Sequence, residues 1–310
     1  MITTITLNAA LDKTYYLPKL SLGETNRLQQ LHVEPGGKGV NVAKVLHTLG
    51  VNVCTSGFIG GSNGKRITQL LDERNISHDF IAIQGESREC LTIIDNEAKQ
   101  ETEILEVGPE ISSDEWDRLC FHMKKIAKKS EMIILSGSLP LGVPDEGYGK
   151  LIDIIQQNGS KAILDTSGSA LLYGIESAPF VIKPNEHELK QVLKKETITF
   201  QEAVEVGKTL IEKGIQNVCI SFGKEGAVLI TQNATYRVKV PPMNIVNTIG
   251  SGDSMLAGLA AGFYTNLPVE ETLVLASACG AANALQPSAG RVELTEVRRL
   301  INQIEIIKMR

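Results

Sequence analysis

The chain has 310 residues, of which 42% are hydrophobic and 22% charged, so it can bury a substantial core in one large or two small domains. Its formal net charge is −5 and it has no long run of Lys and Arg, which argues against a nucleic-acid or acidic-membrane surface and favours a small-molecule partner. Five widely spaced cysteines suggest neither a disulfide framework nor a metal site. The N-terminus alternates like a strand and no stretch reaches the length of a membrane span, so we expect a cytoplasmic protein.

Strand and helix patterns alternate from the beginning of the chain. Residues 2–7 and 51–58 are predicted strands, and the apolar spacing after Asn41 and over residues 64–74 predicts a helix after each turn. The same alternation returns from Trp116 onward. Such a βαβ rhythm predicts an α/β fold with a mainly parallel sheet.

Two stretches, residues 14–33 and 88–107, interrupt this alternation. Both contain short alternating segments without helical periodicity, and the turn-forming residues 95–97 separate two of those segments. Hairpins of this kind predict a small β flap apart from the main sheet.

Several predicted strands end in polar, turn-forming residues. Ligands of open α/β sheets bind beyond the carboxyl ends of the strands, so we expect these side chains to share one edge. The residues concerned are Asn8, Asp12, Ser138, Asp165, Asn185 and Glu188.

Asn185 and Glu188 are three residues apart at a predicted helix start. This spacing places an amide oxygen and a carboxylate on one face, where they could hold hydrated Mg²⁺. The same spacing is typical of a pair that caps the helix. The sequence alone leaves both interpretations open.

The glycine-rich stretch 247–254 runs directly into an apolar helical pattern. Gly250 and Gly252 allow a tight turn, and the N–H groups at the start of the helix favour an anion such as a phosphoryl group. The carboxylate of Asp253 would repel that anion, so it either caps the helix or accepts a proton.

A second glycine-rich turn, residues 36–39, also precedes a helical pattern. It is not a Walker A loop, because Gly39 follows Lys38 where that motif requires Ser or Thr. Arg88 lies on the approach to the second flap segment, and its planar guanidinium suits bidentate capture of a phosphate.

Together these motifs resemble the signatures of the PfkB branch of the ribokinase-like sugar kinases. Residues 36–41, Gly-Gly-Lys-Gly-Val-Asn, resemble the N-terminal signature, and residues 247–254, Asn-Thr-Ile-Gly-Ser-Gly-Asp-Ser, resemble the C-terminal one. The resemblance covers essentially the whole chain. It implies one kinase domain over residues 1–310, built as a three-layer αβα sandwich with a β lid formed by about 14–33 and 88–107.

The resemblance also implies roles for individual residues, with ATP and Mg²⁺ as cofactors. Asp253 would be the catalytic base, and the N–H groups of Gly250, Ser251 and Gly252 would stabilise the transferring γ-phosphoryl group. The residues implied to bind the sugar phosphate are Asp12, Gly37, Lys38, Asn41 and Arg88, with Arg27 and Ser138 as further candidates. Those implied to line the nucleotide side are Lys183, Asn185, Ser221, Gly223, Gly226 and Asn283, and Asn185 and Glu188 would hold Mg²⁺ through water. A homodimer through the lid is implied as well.

Within the family, residues 6–12 and 85–88 are most similar to the 1-phosphofructokinase and tagatose-6-phosphate kinase subgroup. The first implied reaction converts fructose 1-phosphate to fructose 1,6-bisphosphate, and the alternative converts tagatose 6-phosphate to tagatose 1,6-bisphosphate. Arg88 disfavours a nucleoside or ribose kinase. A non-catalytic sugar-phosphate-binding regulator would gain by losing Asp253, and a dehydrogenase would need a strand-linked Gly-x-Gly-x-x-Gly motif that the sequence lacks.

Overall fold

The computed structural model describes residues 1–309, which contain ten α-helices and fifteen strands. The helices are α1 (Lys38–Thr48), α2 (Gly61–Asp72), α3 (Ser113–Ala127), α4 (Gly147–Gln157), α5 (Gly168–Glu176), α6 (Glu186–Leu193), α7 (Phe200–Glu212), α8 (Ser251–Tyr264), α9 (Val269–Ala284) and α10 (Leu294–Ile301). The strands are β1 (Ile2–Thr6), β2 (Ala10–Leu17), β3 (Gln30–Gly36), β4 (Val53–Gly60), β5 (Ser77–His78), β6 (Ile81–Ile83), β7 (Arg88–Asp95), β8 (Gln100–Leu105), β9 (Met132–Ser136), β10 (Lys161–Asp165), β11 (Val181–Ile182), β12 (Asn217–Ser221), β13 (Ala227–Thr231), β14 (Thr235–Lys239) and β15 (Glu305–Met309).

The main sheet has eleven strands in the order β15-β14-β13-β12-β11-β10-β9-β1-β4-β5, and β6 pairs with β4. The strands from β4 to β12 pair in parallel, as the βαβ rhythm predicted, and β13, β14 and β15 extend the sheet in antiparallel fashion. The carboxyl ends of the parallel strands therefore lie along one edge.

Two hydrophobic cores cover the two faces of the main sheet. Along β9, Met132 and Ile134 belong to one core while Ile133 and Leu135 belong to the other, because successive strand side chains point to opposite faces. Helices α1, α2, α8, α9 and α10 contribute to the first core, and α3, α4, α5, α6 and α7 to the second. This arrangement confirms the predicted three-layer αβα sandwich. No helix within residues 1–309 is long and apolar enough to cross a membrane.

A separate four-stranded sheet has the order β3-β2-β7-β8 and forms the predicted flap, which is called the lid from here on. Strand β2 is parallel to β7, and the two outer pairs are antiparallel. The flap begins at Ala10 rather than at Thr14, so Asp12 lies on strand β2 opposite Glu34 and Cys90 and not in a loop as the sequence suggested. The long extension of β2 provides backbone partners for both β3 and β7.

Sequence patterns missed four elements, namely α5, α10, β5 and β15. Helix α5 follows Ser167, which makes no side-chain capping hydrogen bond, and is too short for its apolar spacing to be distinctive. Strand β15 is an exposed edge strand at the end of the described chain, so no burial pattern marks it. Its pairing with β14 depends on the fold of the whole chain and cannot be read from the local sequence.

Candidate active site

Two helix N-termini open on the same polar cavity, of about 510 Å³, at the carboxyl ends of the parallel strands. Helix α1 begins after Gly37 (φ 100°) and α8 begins after Gly250 (φ 76°), and neither has a side-chain cap. These backbone conformations favour glycine strongly over other residues. Because uncapped N–H groups and the helix dipole both attract negative charge, the cavity has two adjacent anion-binding features.

The turn before α8, residues 247–252, is called here the catalytic turn. Its Ser251 N–H donates to Thr248 O at 3.2 Å, whereas the N–H groups of Gly250, Gly252 and Asp253 have no acceptor within the described chain. In this structure the first turn of α8 therefore offers the N–H groups of Gly250, Gly252 and Asp253, while the turn itself occupies the N–H group of Ser251. Ser251 instead lines a neighbouring cavity.

Asp253 belongs to the first turn of α8 and is buried, with 6% exposure, against helix α1. The Asn41 side-chain amide on α1 donates to Asp253 Oδ2 at 2.9 Å. Burial raises the pKa of Asp253, an effect opposed by the Lys38 ammonium and by the hydrogen bond from Asn41. A carboxylate whose pKa is raised holds a proton better, so Asp253 is suited to accept one in a reaction.

Two lysines place positive charge beside the catalytic turn. Lys183 is buried, and its Nζ lies 3.3 Å from Asp165 Oδ1, as an ion pair without a hydrogen bond. A Cβ on Gly252 would lie 3.6 Å from the same Nζ, so the ammonium is close to the start of α8. The Asp165 carboxylate is also the largest cause of the raised pKa of Lys38. Both ammonium groups are thereby held charged next to the anion-binding turn.

Asn185 and Glu188 form a complete capping box at the start of α6. Glu188 N–H donates to Asn185 Oδ1 and Asn185 N–H donates to Glu188 Oε2, each at 2.8 Å. The capping alternative is thus present in the structure, and it fixes both side chains at the cavity wall. Burial and then the Asp165 carboxylate raise the pKa of Glu188.

These carboxylates fit a divalent cation. Asp165 Oδ1 is buried without a hydrogen-bond donor, although the Lys183 ammonium lies 3.3 Å away, and burial followed by the Asp165 carboxylate raises the pKa of Glu188. Oxygen ligands of this kind, completed by water, are what Mg²⁺ prefers. No group of three or more His, Cys, Asp or Glu that could hold a metal ion occurs within residues 1–309.

The lid closes the other side of the polar cavity. Burial raises the pKa of Asp12 to about 6, although the Lys44 and Arg88 charges oppose the shift. Arg88 donates through Nε to Asn8 O at 3.2 Å and through Nη1 to Glu106 O at 3.1 Å. These contacts use two of the five N–H donors of the guanidinium and fix its position on the cavity wall.

An apolar cavity of about 560 Å³ adjoins the polar one across Gly252. Its walls come from the antiparallel part of the main sheet, the loop after β14 and helix α9. Residues that line it are Ser221, Gly223, Gly226, Val240, Pro241, Pro242, Met243, Ile245, Ser251, Ala281 and Ala284. The apolar lining suits a heterocycle.

Most residues implied to form the site are brought together. Those lining the polar cavity are Asp12, Gly37, Lys38, Asn41, Arg88, Lys183, Asn185, Glu188, Ser221, Gly223, Gly250, Gly252 and Asp253, and Gly226 and Ser251 line the apolar one. Ser138 and Arg27 are exposed and line neither cavity.

Asn283 also lines neither cavity, because it is fully buried. Its Nδ2 donates to Ile249 O at 2.7 Å, and its Oδ1 accepts from Ser254 Oγ and from Arg291 N–H. Asn283 therefore supports the catalytic turn from behind and is not placed to contact a nucleotide.

The sequence profile of the pfkB family carbohydrate kinases matches residues 5–296. The chain belongs to this family. A provisionally named phosphofructokinase from Staphylococcus aureus is 30% identical, with a TM-score of 0.87 and 100% and 99% of the two chains covered. Phosphofructokinase-2 from Escherichia coli, solved in complex with potassium, is 25% identical, with a TM-score of 0.93 and coverage of 97% and 98%. A provisionally named 1-phosphofructokinase from Thermotoga maritima shares the fold at 23% identity, with a TM-score of 0.88 and full coverage of both chains.

Family membership identifies the protein as an ATP-dependent sugar kinase, a phosphotransferase. It confirms the family predicted from the two glycine-rich motifs.

The sequence did not indicate several wall residues of this pfkB kinase. Thr14, Cys90 and Thr92 line the polar cavity from the lid, on the same sheet face as Asp12. Extending the period-2 pattern from Asp12 along β2 would have found Thr14, whereas the residues on β7 require the β2–β7 register. The Pro241–Pro242 wall of the apolar cavity carries no motif that marks a nucleotide site.

Proposed function

We propose that this kinase transfers the γ-phosphoryl group of Mg-ATP to a primary hydroxyl of a ketohexose monophosphate and so forms a 1,6-bisphosphate. The first acceptor that we propose is fructose 1-phosphate. The observation that carries the proposal is a buried carboxylate, Asp253, beside the free N–H groups of a helix start, in a cavity that also holds Arg88.

Asp253 acts as the general base in this proposal. It removes the proton of the attacking hydroxyl while the oxygen bonds to the γ-phosphorus and the bond to the β-phosphate oxygen breaks. The free N–H groups of Gly250 and Gly252, together with Lys183, stabilise the negative charge on the transferring group. Asn41 holds the base in place, and its buried Oδ1, which has no protein donor, is free to accept from a sugar hydroxyl.

Arg88 recognises the phosphate already present on the sugar. Its guanidinium is anchored by two carbonyl oxygens, which leaves its other three N–H donors for a bidentate contact with the phosphate. Asp12 on the neighbouring strand accepts hydrogen bonds from sugar hydroxyls when ionised. Lid closure over this end would exclude water and limit ATP hydrolysis.

Glu188 and Asp165 would hold Mg²⁺ through water, with Asn185 at the same helix start. The cation supplies charge neutralisation for the phosphate oxygens of ATP when bound. The apolar cavity, which Pro241 and helix α9 line, would hold the base of ATP. Ser221 and Gly223, which line both cavities, lie where the two sides meet.

A homodimer through the lid is part of this proposal. Because side chains alternate along a strand, the register of the lid strands puts several apolar residues on the face opposite Asp12. They are Tyr15, Leu31, Leu91, Ile93 and Ile104. Leu31 and Ile104 are 47% and 54% exposed, which is unusual for strand residues of an apolar face. A second copy of the same face would bury them. Sedimentation velocity tests the dimer, and a monomer at micromolar concentration would contradict it.

One of the similar solved structures supports a second type of acceptor, a ketohexose 6-phosphate. The phosphofructokinase-2 structure with fructose 6-phosphate is 25% identical with a TM-score of 0.90, and that sugar carries its phosphate at the end opposite to fructose 1-phosphate. Tagatose 6-phosphate has the same orientation and was implied by the subgroup resemblance. The alternative is therefore phosphorylation at C1 of a ketohexose 6-phosphate.

Coupled ADP release with Mg-ATP separates these acceptors. Fructose 1-phosphate, tagatose 6-phosphate, fructose 6-phosphate and free fructose are compared by kcat/KM. We expect one phosphosugar to exceed free fructose by roughly two orders of magnitude or more, because Arg88 interacts with the phosphate only. Equal kcat/KM for fructose and the phosphosugars would contradict the phosphosugar proposal.

A further inference from the structure

Lys44 is a buried charged residue outside the proposed chemistry. Its side chain is 9% exposed, and its Nζ donates to Ala289 O at 2.9 Å. The same nitrogen lies 3.5 Å from Pro35 O and 3.5 Å from Glu34 Oε2. All three ammonium donors therefore face oxygens from two segments far apart in the chain. A buried ammonium carries a desolvation cost that only such contacts offset.

The segment that Lys44 contacts, residues 287–290, packs against the catalytic turn. A Cβ on Gly250 would lie 2.7 Å from Gly290 N and 2.8 Å from Ala289 Cβ. A Cβ on Gly290 would lie 2.8 Å from Asn41 Cα and 2.8 Å from Lys44 Cε. The catalytic turn, this segment and α1 are thus in direct contact without space for an extra methyl group. Movement of the segment would be transmitted to the turn.

Helix α1 reaches this region at two points one turn apart. Asn41 donates to Asp253 on α8, and Lys44, at i+3, donates to the segment behind the turn. From the opposite side, Asn283 holds Ile249 O and Arg291 N–H. The backbone of the turn is fixed by side chains from two helices.

We propose that Lys44 is a positioning residue of phosphoryl transfer. It holds residues 287–290 against the catalytic turn, so that Asp253 and the free N–H groups of Gly250 and Gly252 keep their reactive geometry. Lys44 lines neither the polar nor the apolar cavity, so it acts through these groups and not on substrate. The kinetic part of this inference rests on the proposed function.

The first test replaces Lys44 by Met, which keeps an unbranched, buried stem and removes the donors. We expect kcat to fall roughly tenfold to a hundredfold, because small displacements of catalytic groups have effects of this size. The KM for the phosphosugar should rise as well, because Lys44 also contacts Glu34 and Pro35 on lid strand β3 and its charge opposes the raised pKa of Asp12. Lys44→Arg should recover most of kcat. The control Lys65→Met, at an exposed position of α2, should match the wild-type enzyme.

Amine rescue separates positioning from a general loss of packing. Lys44 lines a cavity of about 350 Å³ together with His47, Arg74 and Arg291, so a small amine can reach the space left in Lys44→Ala. Ethylammonium should restore kcat in a saturable manner. Tetramethylammonium has the same charge but no N–H donor, and it should not. Loss of kcat with no rescue by ethylammonium would overturn the proposal.

Amide hydrogen exchange tests the same inference without substrate. In Lys44→Met we expect faster exchange at the hydrogen-bonded amides of Ser251, Ser254 and Arg291, and unchanged exchange in strand β9. If Lys44→Met does not fold, Lys44→Gln, which keeps an amide NH₂ but loses the charge, replaces it. Unchanged exchange at the three amides would overturn the proposal even if no phosphosugar is a substrate. Faster exchange with an inactive wild-type enzyme would reject only the proposed function.

Discussion

Asp12 and Asp253 are carboxyl groups whose ionised forms the folded chain disfavours. Burial is the largest cause of the raised pKa in both, and only part of it is offset by Lys38, Lys44 and Arg88. Such groups reduce stability at neutral pH, so they persist where a site uses them. The uses that we propose are hydroxyl binding for Asp12 and proton acceptance for Asp253.

Asp12→Asn should separate stability from substrate binding. Folding raises the pKa of Asp12 from 3.8 to about 6, so the folded chain binds this proton more tightly and the side chain lowers stability as pH rises from about 4 to 6. The full shift corresponds to about 3 kcal/mol, which cavity water reduces to about 1 to 2 kcal/mol. We expect the variant to gain that much free energy of unfolding at pH 8, with a higher KM for the phosphosugar.

The same variant at pH 4 or below supplies the control. There Asp12 is protonated in the folded enzyme, so urea unfolding of the variant and the wild type should differ little. A stability gain that is equal at pH 4 and pH 8 would show that charge burial is not its cause. In the wild-type enzyme, kcat/KM for the phosphosugar should fall as pH drops through about 6.

Arg88→Ala should affect one substrate only. We expect KM for the phosphosugar to rise by roughly two orders of magnitude, because a charge-assisted bidentate contact contributes about 1.5–3 kcal/mol. The KM for ATP should stay within about twofold. Arg66→Ala, an exposed arginine on α2, serves as the matched control. An equal rise in both Michaelis constants would reject the assignment of Arg88 to the phosphate.

At the scale of elements, the site depends on two helices that begin with glycine instead of a capping side chain. Capping by Ser or Asp would occupy the N–H groups that an incoming phosphoryl group needs. Helices α3, α6 and α7, which lie away from this chemistry or at its margin, all begin with complete capping boxes. Helices α2, α4, α5, α9 and α10 also lack a side-chain cap, so this absence alone does not mark the site. What sets α1 and α8 apart is an uncapped start after a glycine with positive φ that lines the polar cavity.

Gly250→Ala tests this element directly, and Gly50→Ala is a matched control. The φ angles of Gly250 and Gly50 are 76° and 77°, but a Cβ has open space only at Gly50. Gly50→Ala should cost about 1 kcal/mol for the left-handed conformation and leave kcat unchanged. Gly250→Ala should cost more, because the methyl group meets Ala289 and Gly290, and kcat should fall at least tenfold. Equal kcat in the two variants would contradict the role of the turn.

For the whole molecule, local sequence patterns predicted the elements whose residues alternate or recur regularly. They missed the features that depend on contacts between distant segments of the chain. Strand alternation gave the main sheet and the lid, and the two glycine-rich turns gave the site around Asp253 because each motif precedes a helix. The role of Asn283 could not be predicted, since a buried Asn among alanines of α9 has no local signature of what it binds. The contact of Lys44 with Ala289 joins residues 245 positions apart, which no periodicity marks.

In the proposed reaction Asp253 is the base of phosphoryl transfer. The most direct measurement is the turnover of Asp253→Asn, with the phosphosugar affinity of the variant measured by calorimetry. We expect kcat to fall by roughly two to four orders of magnitude, the range for loss of a general base, while sugar affinity stays within about threefold. A variant that folds, binds the phosphosugar and retains kcat within a few-fold of the wild-type value would contradict the account.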